Sequence, residues 1–587
     1  MAELKEKPLQ EIDDLEKSFI LADIGTTNTT VILIDTVDGS YRLVACASVP
    51  TTARLPWLDV MTCVQQGIGR ISEITGRTLL NERGHLIRPP RKDGSGVDHF
   101  AMVVSAPSPL KTVLVGLYDE MSLASLRKAL RTIYVQEVEV VSLADTRPEA
   151  EQITAVIHSR PDLIAIAGGT DGGAEERLMR LVEVVVVAAM VLSNNQPPHV
   201  LYAGNLKLRE QVRALLEENS HLHMANNIRP DLRTEQLDDV MRLAGELYED
   251  IKIHNLPGLH ELTEWAGFPI LPTARAFANV CHYYAGQEQR VLGIDLGSNS
   301  TTLIMAKAGE VQFSVRTDLG MGEPMAHLLR HTAVDNIVRW LPEEVDEPDV
   351  ANFLYNKSLY PQTIPLTEAD LHLEQAVARA LLHCALQSTA VEWNWASNGQ
   401  VMHVPAFDRL LVHGAVFARA PRPGQVMLLL LDALQPTGIF SVGLDQYGVL
   451  PPLGVLAGHQ PLVVVQTLAA GVLSELGWVI APAGKGQAGK KVLDIVIESP
   501  TARFEGEIEF GKIEVFPISP GQEAQVTVKP TGRFDIGFGP GQGKTLTLKG
   551  GAVGGLVIDA RGRPLALPRD PNDRRNLMRK WQWDLGG

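Results

Sequence analysis

The chain spells nearly the same short string twice. Leu21-Ala-Asp-Ile-Gly-Thr-Thr-Asn-Thr-Thr30 returns about 270 positions later as Gly293-Ile-Asp-Leu-Gly-Ser-Asn-Ser-Thr-Thr302. Each copy is an apolar run, then Asp, an apolar residue, Gly and a string of hydroxyl and amide residues, followed by another apolar run. That pattern reads as strand, tight turn, strand. An Asp leaving a buried strand ahead of Gly and small polar residues places a carboxylate and several backbone N–H groups at one point, which suits a phosphate and its metal ion. One such turn is also an ordinary hairpin. Two copies at domain-scale separation, with Asp23 matching Asp295 and Gly25 matching Gly297, predict two related lobes facing one nucleotide.

At 587 residues the chain exceeds one ordinary core, and several domains are expected. The formal net charge of −16 disfavours nonspecific nucleic-acid binding and anionic membranes, which need clustered cations. The four cysteines, Cys46, Cys63, Cys281 and Cys384, form no Cys-x-x-Cys pair, so a disulfide framework is not expected and a reducing cytoplasm is. The start, Met1 to Lys17, is charged and carries no signal-like apolar core. The longest apolar stretch, Leu181 to Leu192, is too short to cross a bilayer and reads as a buried helix or strand.

The first motif and a third strand, Tyr41 to Val49, are followed by helical spacing over Trp57 to Thr75 and an apolar run from Phe100 to Ser105. Helix over Leu123 to Thr132 and strand over Glu137 to Leu143 continue an α/β alternation. Asp162 to Ala167 reads as a buried strand ending in Gly168-Gly-Thr-Asp-Gly-Gly173, and His199 to Ala203 as another ending in Gly204-Asn205. Loops after parallel strands are where open α/β sheets bind ligands, although glycines also serve simply to turn a strand into a helix. In the second half, Thr367-Glu-Ala-Asp370 predicts a capping box opening a helix through Leu386, and Leu410 to His413 a strand running into Gly414. From Ala481 the character changes to a Gly/Lys-rich linker and short alternating strands, Val492 to Glu498, Phe504 to Phe516 and Ala524 to Val528. The expected division is an N-terminal tail (1–17), lobe I (18–144), an inserted α/β module (145–288), lobe II (289–480), a linker (481–491), an all-β domain (492–568) and a basic-aromatic tail (569–587).

Three strings are set aside. Gly537 to Thr545 has the look of a Walker loop, but Phe538 stands where a glycine belongs and a strand rather than a helix follows, so a glycine-rich hairpin is expected. Asp370-Leu-His372 lacks the glycine of the Asp-x-His-x-x-Gly cobalamin signature, since Gln375 occupies that place. The sixteen histidines include no His-Glu-x-x-His zinc arrangement.

From these residues Asp23 would hold a magnesium ion through water, and Thr26, Thr27 and Asn28 would donate to the terminal phosphates. Asp295 would orient the metal or the attacking water. Beyond that reading, the chain resembles the glutamate mutase L family, also labelled MutL or GlmL, within the actin-like ATPase superfamily, and not the mismatch-repair proteins that share the label. The resemblance spans roughly residues 18 to 460 and rests on Ala22 to Thr27, Ala167 to Gly173, Tyr202-Ala-Gly-Asn205, Ile294 to Gly297, Asp318-Leu-Gly-Met321 and Leu444 to Ala457. It implies an α/β fold of two ribonuclease H-like lobes closing on ATP and magnesium, with Gly25 to Asn28 as the first phosphate loop. Gly297, Ser298, Asn299 and Ser300 become the second, and Val412-His-Gly414 the adenosine loop. It also implies a protein partner, a cobalamin-dependent mutase such as glutamate mutase, with the chain as its accessory or reactivating factor; a homo-oligomer is compatible. Two departures bear on chemistry: the second loop lacks the family's second glycine and final acid, and Ala415 replaces the second glycine of the adenosine loop. Hydrolysis could then be slow or lost while binding survives. A small-molecule kinase, with Asp295 or Asp171 as base, and a nucleotide-binding scaffold or filament protein stay open as alternatives.

Overall fold

The computed structural model describes residues 17–194, 196–286, 289–395, 404–500 and 502–586. Apart from Lys17, the expected N-terminal tail lies outside the described residues. The chain divides into two compact units, the first combining the chain up to Ala106 with Leu256–Val280 and Gln446–Leu473, and the second holding the rest.

In the first unit, five strands stand in the order Leu271–Pro272, His99–Val104, Phe19–Ile24, Asn28–Val37, Ser40–Pro50. The last three form an antiparallel meander, and His99–Val104 joins Phe19–Ile24 in parallel. Phe19–Ile24 is central, and Phe19, Ile20, Leu21, Ala22 and Ile24 have no exposed surface. A run apolar on both faces is what a strand covered on both sides requires. The helix Val60–Thr75 begins at the Asp59 cap, whose Oδ1 accepts the Met61 N–H, and packs on the meander where Gly67 leaves room for Val31.

The second unit repeats this wiring. Its large sheet runs Glu310–Arg316, Thr301–Lys307, Val291–Leu296, Arg409–His413, Gly438–Leu444, Ser474–Ala481, Gly555–Asp559, Ile513–Pro517. The first three strands are again an antiparallel meander, and Arg409–His413 and Gly438–Leu444 add in parallel. The first sheet and the first five strands of the second therefore share the order 3-2-1-4-5, with the repeated motif on strand 1 of each. The helix Glu368–Glu392 covers this sheet's core. Its capping box is closed by Thr367 Oγ1 accepting the Asp370 N–H (3.1 Å) and Asp370 Oδ2 accepting the Thr367 N–H (3.0 Å). His372, two residues after Asp370, is buried with Nδ1 2.7 Å from Glu343 Oε1 and serves this packing.

Also in the second unit, residues 110–224 form an all-parallel sheet in the order Val135–Ser142, Leu110–Gly116, Leu163–Ala167, His199–Tyr202, His221–Met224. Its first two strands precede residue 145. The 2-1-3-4-5 order is that of a doubly wound sheet, and the apolar stretch Leu181 to Leu192 lies in its helix Glu175–Leu192.

The C-terminal region is rich in strands. Arg503–Glu509, Lys491–Glu498, Glu523–Pro530 and Lys544–Lys549 make an antiparallel sheet, while Ile513–Pro517 and Gly555–Asp559 extend the large sheet. The stretch read as one strand, Phe504 to Phe516, is thus divided between two sheets. The Gly537 to Thr545 string is a turn running into the strand that begins at Lys544, and the turn is organised by Asp535 Oδ1 accepting the N–H groups of Gly537, Phe538 and Gly539. Residues 483–490 are tied by backbone hydrogen bonds to Asp535 and Phe510.

This region is anchored by a buried ionic network. Asp559 accepts from Arg561 (2.8 Å) and Arg563 (2.7 Å), and Asp432 from Arg561 (2.8 Å) and Arg379 (2.8 Å), with every side chain at most 5% exposed. The two guanidiniums hold the Asp559 carboxyl far below the usual carboxylate range despite its burial. Among the described residues all four cysteines are free thiols, and no helix is long and apolar enough to cross a membrane.

Candidate functional site

Asp23 is the penultimate residue of Phe19–Ile24, opposite Thr30 on one side and Val103 on the other. The side chain is half-buried and accepts a hydrogen bond from Thr273 Oγ1 (3.2 Å) at the start of the helix Thr273–Ala285. The turn closes when the Gly25 N–H donates to Asn28 O (3.1 Å), and a Cβ at Gly25 would stand 2.7 Å from that oxygen, so glycine is required. Other carbonyls are also committed within the unit: Ile24 O accepts from the Ser105 and Ala106 N–H groups, Gly25 O from Thr51 Oγ1 (2.8 Å) and Thr27 O from the Thr51 N–H. Four backbone acceptors in and beside the turn are thus already engaged, an arrangement suited to an anion outside. Thr26, Thr27 and Asn28 are half-buried.

The second turn reproduces the first. Asp295 stands opposite Thr302, as Asp23 does opposite Thr30, and the Gly297 N–H donates to Ser300 O (2.9 Å). Two features differ. The segment Leu319-Gly-Met321 lies against this turn, with the Met321 N–H donating to Gly297 O (2.9 Å) and Thr301 Oγ1 to Leu319 O (2.9 Å). Asp295 is also more deeply buried than Asp23, at 7% exposure. Ser298 and Asn299 are half-buried, whereas Ser300 is buried.

Asp295 belongs to a line of ionisable groups that the sequence reading did not assemble. It is paired in register with His413, and His413 Nδ1 lies 3.0 Å from Asp445 Oδ2. The three residues sit at or just past the carboxyl ends of three successive parallel strands, Val291–Leu296, Arg409–His413 and Gly438–Leu444. Asp445 is fixed there by its N–H donating to Val412 O (2.8 Å). Burial pushes the Asp295 carboxyl up, while His413 draws it down and Asp445 adds to the rise; the net direction is up. Gly414 follows at φ 126°, where a Cβ would be 2.4 Å from Leu296 O, so glycine lets this loop reach the residue before Gly297. The Ala415 methyl is exposed rather than turned into this approach.

The first unit thus gathers Asp23, Gly25, Thr26, Thr27 and Asn28, and the second Asp295, Gly297, Ser298, Asn299, Ser300 and Gly414. Thr273 and Asp445 went unassigned, because sequence distance hides which strand ends become neighbours. The signal for Asp445 was present as an acid directly after an apolar strand, the same signature that singled out Asp23. Asp171, a candidate kinase base, is engaged in structure: its Oδ1 accepts from Asn227 Nδ2 (2.8 Å) and the Leu206 N–H (3.1 Å). Asn205 joins the same knot, accepting the Gly172 N–H (3.0 Å) and donating to Gly173 O (2.9 Å). The Gly168 to Gly173 and Tyr202 to Asn205 strings therefore lock together at the carboxyl edge of one sheet.

The model of the MutL protein family matches residues 19–472, more than three quarters of the chain. The chain belongs to the MutL protein family. A curated relative, the protein MutL of Clostridium tetanomorphum, is 20% identical over 441 residues, covering 70% of this chain and 88% of its own length. Among solved structures, acetone carboxylase is 10% identical, covering 84% of this chain and 81% of its own, at a TM-score of 0.32. A glycerol dehydratase reactivase is 8% identical over 76% of this chain and 100% of its own, at 0.29, and the ethanolamine utilization protein EutJ of Carboxydothermus hydrogenoformans is 11% identical over 76% and 90%, at 0.28. The matched family region contains both Asp-x-Gly turns and the Asp295, His413, Asp445 line, and excludes the C-terminal strands.

Proposed function

We propose that this MutL-family protein binds ATP with magnesium and uses it to act as an accessory, reactivating factor for a cobalamin-dependent mutase such as glutamate mutase. The observation that carries the nucleotide part is the duplication: the same hydrogen-bonded Asp-x-Gly turn on strand 1 of two sheets with the same order. Family membership carries the partner part. A half-buried carboxylate that accepts from the Thr273 hydroxyl, beside a turn whose carbonyls are already engaged within the unit, fits a hydrated metal ion and a phosphate.

In this reading Asp23 holds the metal's water shell, Thr26, Thr27 and Asn28 donate to phosphate oxygens, and Gly297 to Ser300 form the second phosphate turn. Gly414 brings the adenosine loop beside Leu296. Magnesium, when bound, neutralises the phosphate charge. Asp295 orients the metal or a water, with His413 and Asp445 setting how readily it carries charge. The second turn's missing glycine and acid make turnover slow, which suits a protein that cycles once per partner rather than a metabolic kinase. Binding does its work by favouring one conformation of the chain over another.

The test is reactivation. Purified glutamate mutase, inactivated by turnover, should regain activity on adding this protein, adenosylcobalamin and Mg·ATP, and should not when Asp23→Ala replaces the wild type. Equal recovery with Asp23→Ala, or no recovery with the wild type, contradicts the proposal.

A further inference from the structure

The C-terminal helix Pro571–Asp584 has two distinct faces. Met578, Trp581 and the following Leu585 are buried, and the Arg561 guanidinium lies 4.4 Å from the Trp581 ring. A second stripe, Asn576, Arg579, Lys580 and Trp583, has the i, i+3, i+4, i+7 spacing of one helix face and is exposed throughout. Trp583 is 82% exposed. In a chain of net charge −16, an exposed indole beside two cations is an unusual surface.

Its chemical complement lies elsewhere in the same unit. The helix Glu347–Leu359 turns Tyr355 and Leu359 to solvent, and Tyr360, Ile364 and Leu366 continue the exposed apolar surface, with Leu366 at 87%. The segment is not loose. Lys357 Nζ lies 2.6 Å from Glu374 Oε1 and donates to Thr363 O, with both charged side chains nearly buried, which pins the 360–366 loop to the fold. Acids flank this surface: Glu344, Asp346, Glu347 and Asp349 before it, Glu368 and Asp370 after it, all exposed. The only base between residues 342 and 370 is Lys357, already paired.

We propose that these two surfaces are the two halves of an interface between copies of this chain. Trp583 of one copy seats on Tyr355 and Leu359 of the other, and Arg579 and Lys580 face the acids at the start of the Glu347–Leu359 helix. The occupant is chosen by charge and chemistry: an aromatic anchor with cationic neighbours against an apolar patch with acidic neighbours. Within one chain Arg575 reaches Glu344 at 3.6 Å, so the two halves begin beside each other. A surface carrying both halves side by side is self-complementary, and a two-fold pairing uses each half twice and closes. The pairing does not depend on nucleotide.

Analytical ultracentrifugation of the full chain tests this. At about 0.05 M ionic strength, where surface charges are little screened, the wild type should sediment as a dimer of the 64.0 kDa chain. Trp583→Ala and Leu359→Ser should each weaken dimerisation at least about tenfold, as expected for central anchors, with unchanged circular dichroism. A charge swap keeps the test independent of folding defects. Arg579→Glu/Lys580→Glu and Glu347→Lys/Asp349→Lys chains should each be monomeric alone and should pair when mixed. A wild type that stays monomeric up to about 100 μM, a concentration that detects even weak association, overturns the proposal. So does a dimer indifferent to Trp583→Ala and Leu359→Ser, or a mixture of the charge-swapped chains that fails to pair.

Discussion

Replacing Gly320 by alanine tests whether the second turn is a preorganised phosphate cradle. A Cβ there would lie 2.5 Å from Ser298 O, 2.7 Å from Ser300 N and 2.9 Å from Asn299 C, where ordinary contact begins at 3.4 Å. All three atoms are turn backbone, so no side chain can rotate away. The turn must move by roughly an ångström, and overpacking of this kind costs about 1–3 kcal/mol. A shift of that size breaks N–H donors away from a phosphate, and hydrogen bonds to charged groups are worth about 1.5–3 kcal/mol. Affinity for Mg·ATP should therefore fall roughly 10- to 100-fold. Isothermal titration calorimetry measures it, with Gly245→Ala as control: that residue is in a helix, and a Cβ there meets nothing within 4 Å. Binding by Gly320→Ala within about threefold of wild type, a difference under 1 kcal/mol, would refute the claim that this turn holds phosphate.

Asp295→Asn should raise apo stability near neutral pH while abolishing the response to nucleotide. Burial lifts the folded-state pKa above its unfolded value, so the charged form costs stability above that range. The wild type should gain on Asp295→Asn as pH falls through the raised pKa toward about 4, visible in melting curves across pH. Asp559→Ala leaves the buried guanidiniums of Arg561 and Arg563 without their shared carboxylate and should cost about 3–5 kcal/mol, read as a lowered urea midpoint for the transition that includes the C-terminal strands. The pKa of His199, whose Nδ1 lies 3.2 Å from His223 Nε2 and whose ring stacks on His223 and is tilted against His221, is lowered to about 4, by burial first and by those histidines next. The unfolded chain then takes the proton first, so stability should drop as pH falls from about 6.5 toward that value, and His199→Gln should flatten the drop.

Local chemistry was the legible part of this chain. The Thr367 capping box, the turn at Gly537 and the paired Asp-x-Gly hairpins each depend on residues within a few positions, and the structure forms them as read. The division of Phe504 to Phe516 between two sheets was not legible, because alternation marks a strand without naming its neighbour. The same limit hid Asp445 and the contact that His413, read only as part of the adenosine loop, makes with it: each lies at the end of its own strand, and only the parallel order of three strands brings them to Asp295. Thr273 was hidden by distance, since it meets Asp23 across 250 positions. Trp583 was read in a basic-aromatic tail, but only the helix phase separates it from the buried Trp581.

The central claim is that the Asp-x-Gly turns serve ATP, and thermal unfolding in the presence of Mg·ATP tests it most directly. Ligand at about 100 times its dissociation constant stabilises a folded chain by about 2.7 kcal/mol. The wild type should therefore melt higher with Mg·ATP than with magnesium alone, and Asp23→Ala should show no rise. A wild type indifferent to Mg·ATP, or an Asp23→Ala chain that responds as the wild type does, would contradict the account.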